Sequence, residues 1–95
     1  MATTTLSDIE IQRSLASLPG WTRKAGTLVK TFTFATFPAG ITFIDRVAAV
    51  AEEMDHHPDL DIRYTKITAT LSTHSAGGIT AADVKLAKAM ELLGS

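Results

Sequence analysis

Apolar residues along this chain recur at two spacings, and the places where one gives way to the other mark its elements. Leu6-Ser7-Asp8-Ile9-Glu10-Ile11 reads as a helix start. Ser7 can cap it, Glu10 three residues later completes a capping box, and Leu6 with Ile11 can staple the entry. This helix is expected to stop before Pro19-Gly20. Trp21 to Lys24 and Thr27 to Ala35 read as two strands about a turn at Ala25-Gly26, with Leu28, Phe32 and Phe34 on one face at period two. From Pro38 the spacing lengthens. Ile41, Ile44, Val47, Ala51 and Met54 recur every three or four residues, which predicts an amphipathic helix ended by Pro58. Proline pushes its predecessor out of the helical region, so His57 is expected to be extended and His56 to sit at or near the last turn.

Period two then returns. Ile62-Arg63-Tyr64 and Ile67 to Thr73 read as a hairpin, with Ile67, Ala69 and Leu71 on one face and Thr68, Thr70, Ser72 and His74 on the other. His74 is thereby placed at a strand end on the polar face. Gly77-Gly78 makes a loop, and Thr80-Ala81-Ala82-Asp83 opens a last helix with a second capping box and an apolar stripe of Val84, Ala87, Met90 and Leu93. The order α-β-β-α-β-β-α predicts an α+β, two-layer fold: a four-stranded antiparallel sheet with helices packed on one face, built as a single domain over residues 1–95.

Composition narrows the chemistry. A chain of 95 residues can form one core, but encloses a deep pocket with difficulty, so a site is expected to be shallow or shared with a partner. With 45% hydrophobic residues, 20% charged residues and a formal charge of -1, it reads as an ordinary globular protein. Its nine basic residues are scattered, which argues against direct nucleic-acid binding. The absence of cysteine removes disulfides, thiolate nucleophiles and cysteine-ligated zinc. Met1-Ala2-Thr3-Thr4-Thr5 has no basic or apolar signal region, and no window approaches the ~20 apolar residues needed to span a bilayer. The expectation is a cytoplasmic protein without membrane association.

All three histidines fall in a short stretch: Glu52-Glu53-Met54-Asp55-His56-His57-Pro58, then His74, with Asp83 following. Imidazole exchanges protons near neutral pH, so this grouping suggests acid-base chemistry. On a continuous helix Glu52 would lie beneath His56, and Glu53 beneath His57. The plainer account of His56 and His57 is that they cap a helix C-terminus. Two adjacent histidines locked by a proline, with a third on a polar strand face, favour the chemical account. A metal site is not expected, because adjacent ligands diverge and the spacing matches no common zinc pattern. Asp83 has two readings, helix cap and site residue, and spacing alone favours the cap.

Glu52, His56-His57-Pro58, Tyr64, His74 and Asp83, with the strand Thr70-Leu71-Ser72-Thr73-His74, closely resemble the pterin-4a-carbinolamine dehydratase family over roughly Trp21 to Leu93. The resemblance implies an enzyme that removes water from a 4a-hydroxytetrahydropterin to give a quinonoid dihydropterin, in the recycling that serves aromatic amino acid hydroxylases. It implies no cofactor, the pterin being the substrate, and a homodimer or homotetramer joined through sheet edges or helices. The family's catalytic histidines fall on His56, His57 and His74, with Glu52 and Asp83 supporting. Asp55, His56, His57, Pro58, Ser72, Thr73, His74 and Ser75 would bind the pterin. The scheme that follows has His56 and His74 as proton donors on opposite sides of C4a, His57 binding substrate or accepting a proton, and Glu52 orienting His56. One departure stands out: Leu60 occupies a position where the family often has an aromatic residue. Some relatives of this fold are instead dimerisation cofactors of a transcription factor or assembly factors, so the alternative reading is a non-catalytic interaction protein.

Overall fold

A computed structural model describes residues 4–94, leaving the expectation for Met1, Ala2 and Thr3 outside the described residues. The chain runs α1 (Asp8–Leu15), β1 (Thr22–Lys24), β2 (Thr27–Thr33), α2 (Phe37–Met54), β3 (Asp59–Arg63), β4 (Lys66–Leu71), a 3-10 turn (His74–Ala76) and α3 (Ala81–Leu93). Both sequence-predicted capping boxes form, Ser7 with Glu10 on α1 and Thr80 with Asp83 on α3. The first strand excludes Trp21, and the second stops at Thr33 rather than Ala35. The second hairpin is displaced toward the N-terminus: β3 begins at Asp59, and β4 ends at Leu71 rather than Thr73.

The four strands form one antiparallel sheet in the order β1-β2-β4-β3. Each hairpin closes through two residues whose first member, Ala25 or Tyr64, takes a positive φ. Helix α2 links the hairpins, carrying the chain from β2 across to the outer strand β3 so that β4 returns beside β2. Period two then sorts the side chains. Leu28 opposes Leu71 and Phe32 opposes Ile67 on the buried face, whereas Thr31 opposes Thr68 on the open face, with their hydroxyls 2.8 Å apart.

Helices cover only the buried face. Their side chains, among them Phe43, Val47, Leu86, Ala87 and Met90, join the sheet in one cluster with Leu18 of the turn after α1. Truncating a fully buried leucine such as Leu71 to alanine would cost about 2–5 kcal/mol, a large share of a small domain's stability. The stripe of α2 is rotated from the predicted one. Gly40, Phe43, Val47 and Ala51 are buried, while Ile41, Ile44 and Met54 are half-buried. The shift follows from Gly40, where an added Cβ would lie 3.0 Å from the Ile67 side chain, so its hydrogen lets α2 settle against β4. Glu91 accepts hydrogen bonds from Trp21 Nε1 at 2.8 Å and from Lys30, tying α3 to β2. Among the described residues no helix is long and apolar enough to cross a membrane.

Candidate active site

Two chain reversals and the N-terminus of α3 build the site. Helix α2 ends at Met54, two residues earlier than the proline alone requires, because Asp55 takes a left-handed conformation (φ 52, ψ 42). Aspartate tolerates that region better than most residues with a Cβ. The reversal satisfies terminal carbonyls: His56 N–H donates to Ala51 O at 3.0 Å, and Asp55 N–H to Glu52 O at 3.2 Å. His56 therefore lies beyond the helix, and the spacing that would have set Glu52 beneath it no longer applies.

The carboxylate partners are consequently exchanged from those expected. His56 Nε2 lies 2.6 Å from Asp83 Oδ1, and His57 Nε2 lies 2.5 Å from Glu52 Oε1. Glu52 orients His57, not His56, and Glu53 has no part in either pair. Successive side chains of an extended segment point to opposite sides, so His56 turns inward and His57 outward. The two pairs differ in weight. The His56 side chain is 14% exposed and Asp83 0%, whereas His57 and Glu52 are 54% and 77% exposed. A solvated pair contributes about 0–1 kcal/mol, while losing one partner of a buried pair costs about 3–5 kcal/mol.

Asp83 performs both roles open to it. As the third residue of α3, its Oδ2 accepts the N–H of Thr80 at 2.9 Å and so caps the helix. The same oxygen accepts the Thr73 hydroxyl at 2.8 Å. Thr73 and Thr80 hydroxyls are 2.8 Å apart, and Thr80 Oγ1 accepts the N–H of Ala82 at 3.2 Å. Proton counting fixes the directions. An ionised carboxylate only accepts, so Thr73 gives its proton to Asp83 and Thr80 gives its own to Thr73. By the same count His56 must carry hydrogen on Nε2, leaving Nδ1 as the nitrogen available to another molecule. No buried side-chain nitrogen or oxygen among the described residues lacks a partner.

The second reversal follows β4. Thr73 O accepts from Ala76, Gly77 and Gly78, and Thr73 N–H donates to Gly78 O, which closes a tight loop with Gly77 left-handed at φ 76. His74 opens the 3-10 turn in this loop, so it is not the strand-end residue expected. It is exposed, and its ring makes no hydrogen bond among the described residues. Since Thr73 binds Asp83, the loop carrying His74 and the segment carrying His56 meet on one carboxylate.

The other expected pterin-binding residues separate into groups. Ser72 Oγ donates to Gly26 O at 3.0 Å and braces the first hairpin. The Thr73 hydroxyl is buried toward Asp83, so this side chain does not line an open surface as expected. Asp55 and Ser75 are exposed, and Pro58 is half-buried. Pro58 shares a 210 Å³ cavity with Glu52, His57, Val47, Ala51 and Leu60, whose walls are mostly apolar. Leu60, in the position noted as a departure, supplies an aliphatic wall there. A cleft of 500 Å³ near Phe34, Phe43 and Arg46 contains none of the histidines, and its greater size does not make it the better candidate. No three His, Asp or Glu side chains among the described residues converge on a point suited to a metal ion.

Thr80 was foreseen only as a helix cap, and its hydroxyl's place in the site was missed. A signal existed for Thr73: it continues the inward parity of Ile67, Ala69 and Leu71, so a polar side chain there must find a buried partner.

Proteins similar to this chain in sequence and in structure are known. A protein of Nocardia farcinica named "Putative pterin-4-alpha-carbinolamine dehydratase" is 48% identical over 93 residues, covering 98% of each chain. One so named from Roseiflexus sp. is 50% identical over 84 residues, covering 88% of this chain and 90% of its own. A solved structure described as a transcriptional coactivator/pterin dehydratase from Brucella melitensis superposes with a TM-score of 0.94 at 31% identity, covering 97% of this chain and 100% of that one. A pterin dehydratase-like protein identified as a RuBisCO assembly factor in the alpha-carboxysome superposes at 0.65 with 26% identity, covering 79% of this chain and 87% of that one. The sequence profile described as "Pterin 4 alpha carbinolamine dehydratase" matches residues 4–93, and the chain therefore belongs to the pterin 4 alpha carbinolamine dehydratase family.

Proposed function

We propose that the protein dehydrates a 4a-hydroxytetrahydropterin, releasing water and a quinonoid dihydropterin. The observation that carries this reading is the buried His56–Asp83 pair, an imidazole oriented by a carboxylate next to the loop that holds His74. In the reaction the C4a–O bond breaks, a donated proton converts the departing hydroxyl to water, and electrons move in from a ring nitrogen that loses its proton. Hydroxide leaves poorly, so a positioned acid is worth about 10²–10⁴ in rate. His56 donates from Nδ1 as an imidazolium while Asp83 holds Nε2–H and balances the charge. His74, exposed and without a competing partner, is the donor for the opposite face of C4a. His57, held by Glu52 beside the 210 Å³ cavity, binds the pterin or takes the ring-nitrogen proton.

The pterin is the substrate and the reaction uses no further cofactor. The setting proposed is the cytoplasm, with a homodimer or homotetramer serving pterin recycling for aromatic amino acid hydroxylases. Adding the protein to chemically generated 4a-hydroxytetrahydropterin and following absorbance tests the reading. Faster formation of the quinonoid product is expected; a rate equal to buffer alone would remove it.

A second reading, a protein-interaction role on the same fold, draws on the outer strand β3. Ile62 on that strand is 44% exposed and Tyr64, just past its end, 74%. Under this reading Ile62→Asp would abolish a partner complex, while His56→Ala would leave it intact.

A further inference from the structure

Resting on the dehydratase reading, we infer that Thr73 is a positioning residue that sets the two proposed acids, His56 and His74, relative to one another. Three observations carry it. The Thr73 hydroxyl lies 2.8 Å from Asp83 Oδ2, while Asp83 Oδ1 lies 2.6 Å from His56 Nε2. Thr73 is also the chain neighbour of His74, and its backbone closes the loop that His74 opens through bonds to Gly78, Gly77 and Ala76. Finally, its hydroxyl has no freedom of direction. Asp83 Oδ2, as a carboxylate oxygen, can only accept, so the Thr73 proton is directed to it and Thr80 donates into Thr73 Oγ1.

One buried side chain thus joins two segments that are otherwise eighteen residues apart in sequence. If Thr73 lost its hydroxyl, Asp83 would keep the Thr80 N–H and His56, but its carboxylate plane would no longer be fixed to the His74 loop. Both imidazoles would then sample wider positions, and misplacement by a fraction of an ångström is costly when a proton must reach a particular oxygen. A helix cap serving stability alone would not need this bond, because the Thr80 N–H and Ala82 N–H already satisfy the box.

Thr73→Val preserves the shape and removes the hydroxyl, while Thr73→Ser restores it. Thr73→Val is expected to lower kcat roughly 10- to 100-fold with KM within about threefold, on both stereoisomers of the hydroxypterin, and Thr73→Ser to recover most of the loss. A purely structural role would lower the unfolding midpoint and leave the kcat of folded protein unchanged, which would overturn the inference. A second readout needs no substrate and no variant. In proton and ¹⁵N NMR of the wild-type protein, the His56 Nε2 proton and the Thr73 hydroxyl proton are expected to exchange slowly with solvent. Rapid exchange of the Thr73 hydroxyl, or a His56 protonated on Nδ1 alone, would overturn the inference even if Thr73→Val failed to fold. Should wild-type protein prove inert on the hydroxypterin while both protons remain protected, the dehydratase reading falls and the Thr73 linkage stands.

Discussion

Asp83→Asn is the sharpest perturbation of this site, since it changes one atom and inverts one hydrogen bond. The amide oxygen can still accept from Thr80 N–H and Thr73 Oγ1, the two donors now on Oδ2. The opposite flip would set the amide NH₂ against the Thr80 N–H, a clash of donors that no rotation relieves. The NH₂ must therefore face His56 Nε2, and the ring can accept it only by moving its own proton to Nδ1. Nδ1 then carries its hydrogen on a neutral ring, a far weaker acid than the imidazolium that the Asp83 carboxylate balances. In Ser-His-Asp hydrolases the same carboxylate-to-amide change costs ~10⁴ in kcat; here a loss of about 10²–10⁴ is expected. Stability should fall less than a broken buried pair implies, because the tautomer switch recovers a neutral hydrogen bond: about 2–3 kcal/mol, against ~5–15 kcal/mol for a domain of this kind. That corresponds to a thermal midpoint lower by roughly 10–20 °C. Urea melts, ¹⁵N shifts of the His56 ring and the dehydration assay report the three consequences separately. A folded Asp83→Asn protein that kept hydrogen on Nε2 and the wild-type rate would refute the reasoning.

The remaining expectations concern parts of the molecule away from that bond. Glu91→Ala removes the acceptor shared by Trp21 Nε1 and Lys30, and should cost about 1–3 kcal/mol in urea melts, with a red-shifted Trp21 emission as the indole nitrogen turns to water. Ser7→Ala breaks the capping box of α1 and should cost ~1 kcal/mol. Hydrogen bonds from the Ser7 backbone and side chain hold the Glu10 carboxyl below its ordinary pKa. The contribution of Glu10 is therefore present above the unfolded-state pKa and lost as pH falls through the folded one, so wild type and Glu10→Gln should converge in acid. Glu52→Gln should shift the midpoint by less than ~1 kcal/mol and do so less in high salt, because its pair with His57 is solvated; a larger loss would show that pair to be buried by a partner.

Much of this arrangement was legible in the sequence, and the failures share a cause. Both capping boxes, both hairpins and the helix between them follow from local spacing, since each depends on residues a few positions apart. Asp83 could be read as a cap for the same reason. What spacing could not supply was the left-handed turn at Asp55: one φ angle ended α2 early and transferred His56 from Glu52 to Asp83, a residue 27 positions away. The rotated stripe of α2 likewise came from a tertiary contact, Gly40 against Ile67, and not from any feature of the helix alone. His74 was misplaced by a strand that stopped at Leu71, once the backbone of Thr73 had found better partners in its own loop. The resemblance supplied candidate site residues without their pairing, which depends on side-chain direction.

The central claim is that two imidazoles, held by one buried carboxylate and one tight loop, protonate the hydroxyl that leaves as water from either face of a pterin. Stopped-flow absorbance on each separated 4a-hydroxytetrahydropterin stereoisomer tests it most directly. Wild-type protein should accelerate both, with His56→Ala slowing chiefly one and His74→Ala chiefly the other, each by about 10²–10⁴. No acceleration by wild type, or a His74→Ala protein at full rate on both isomers, would contradict it.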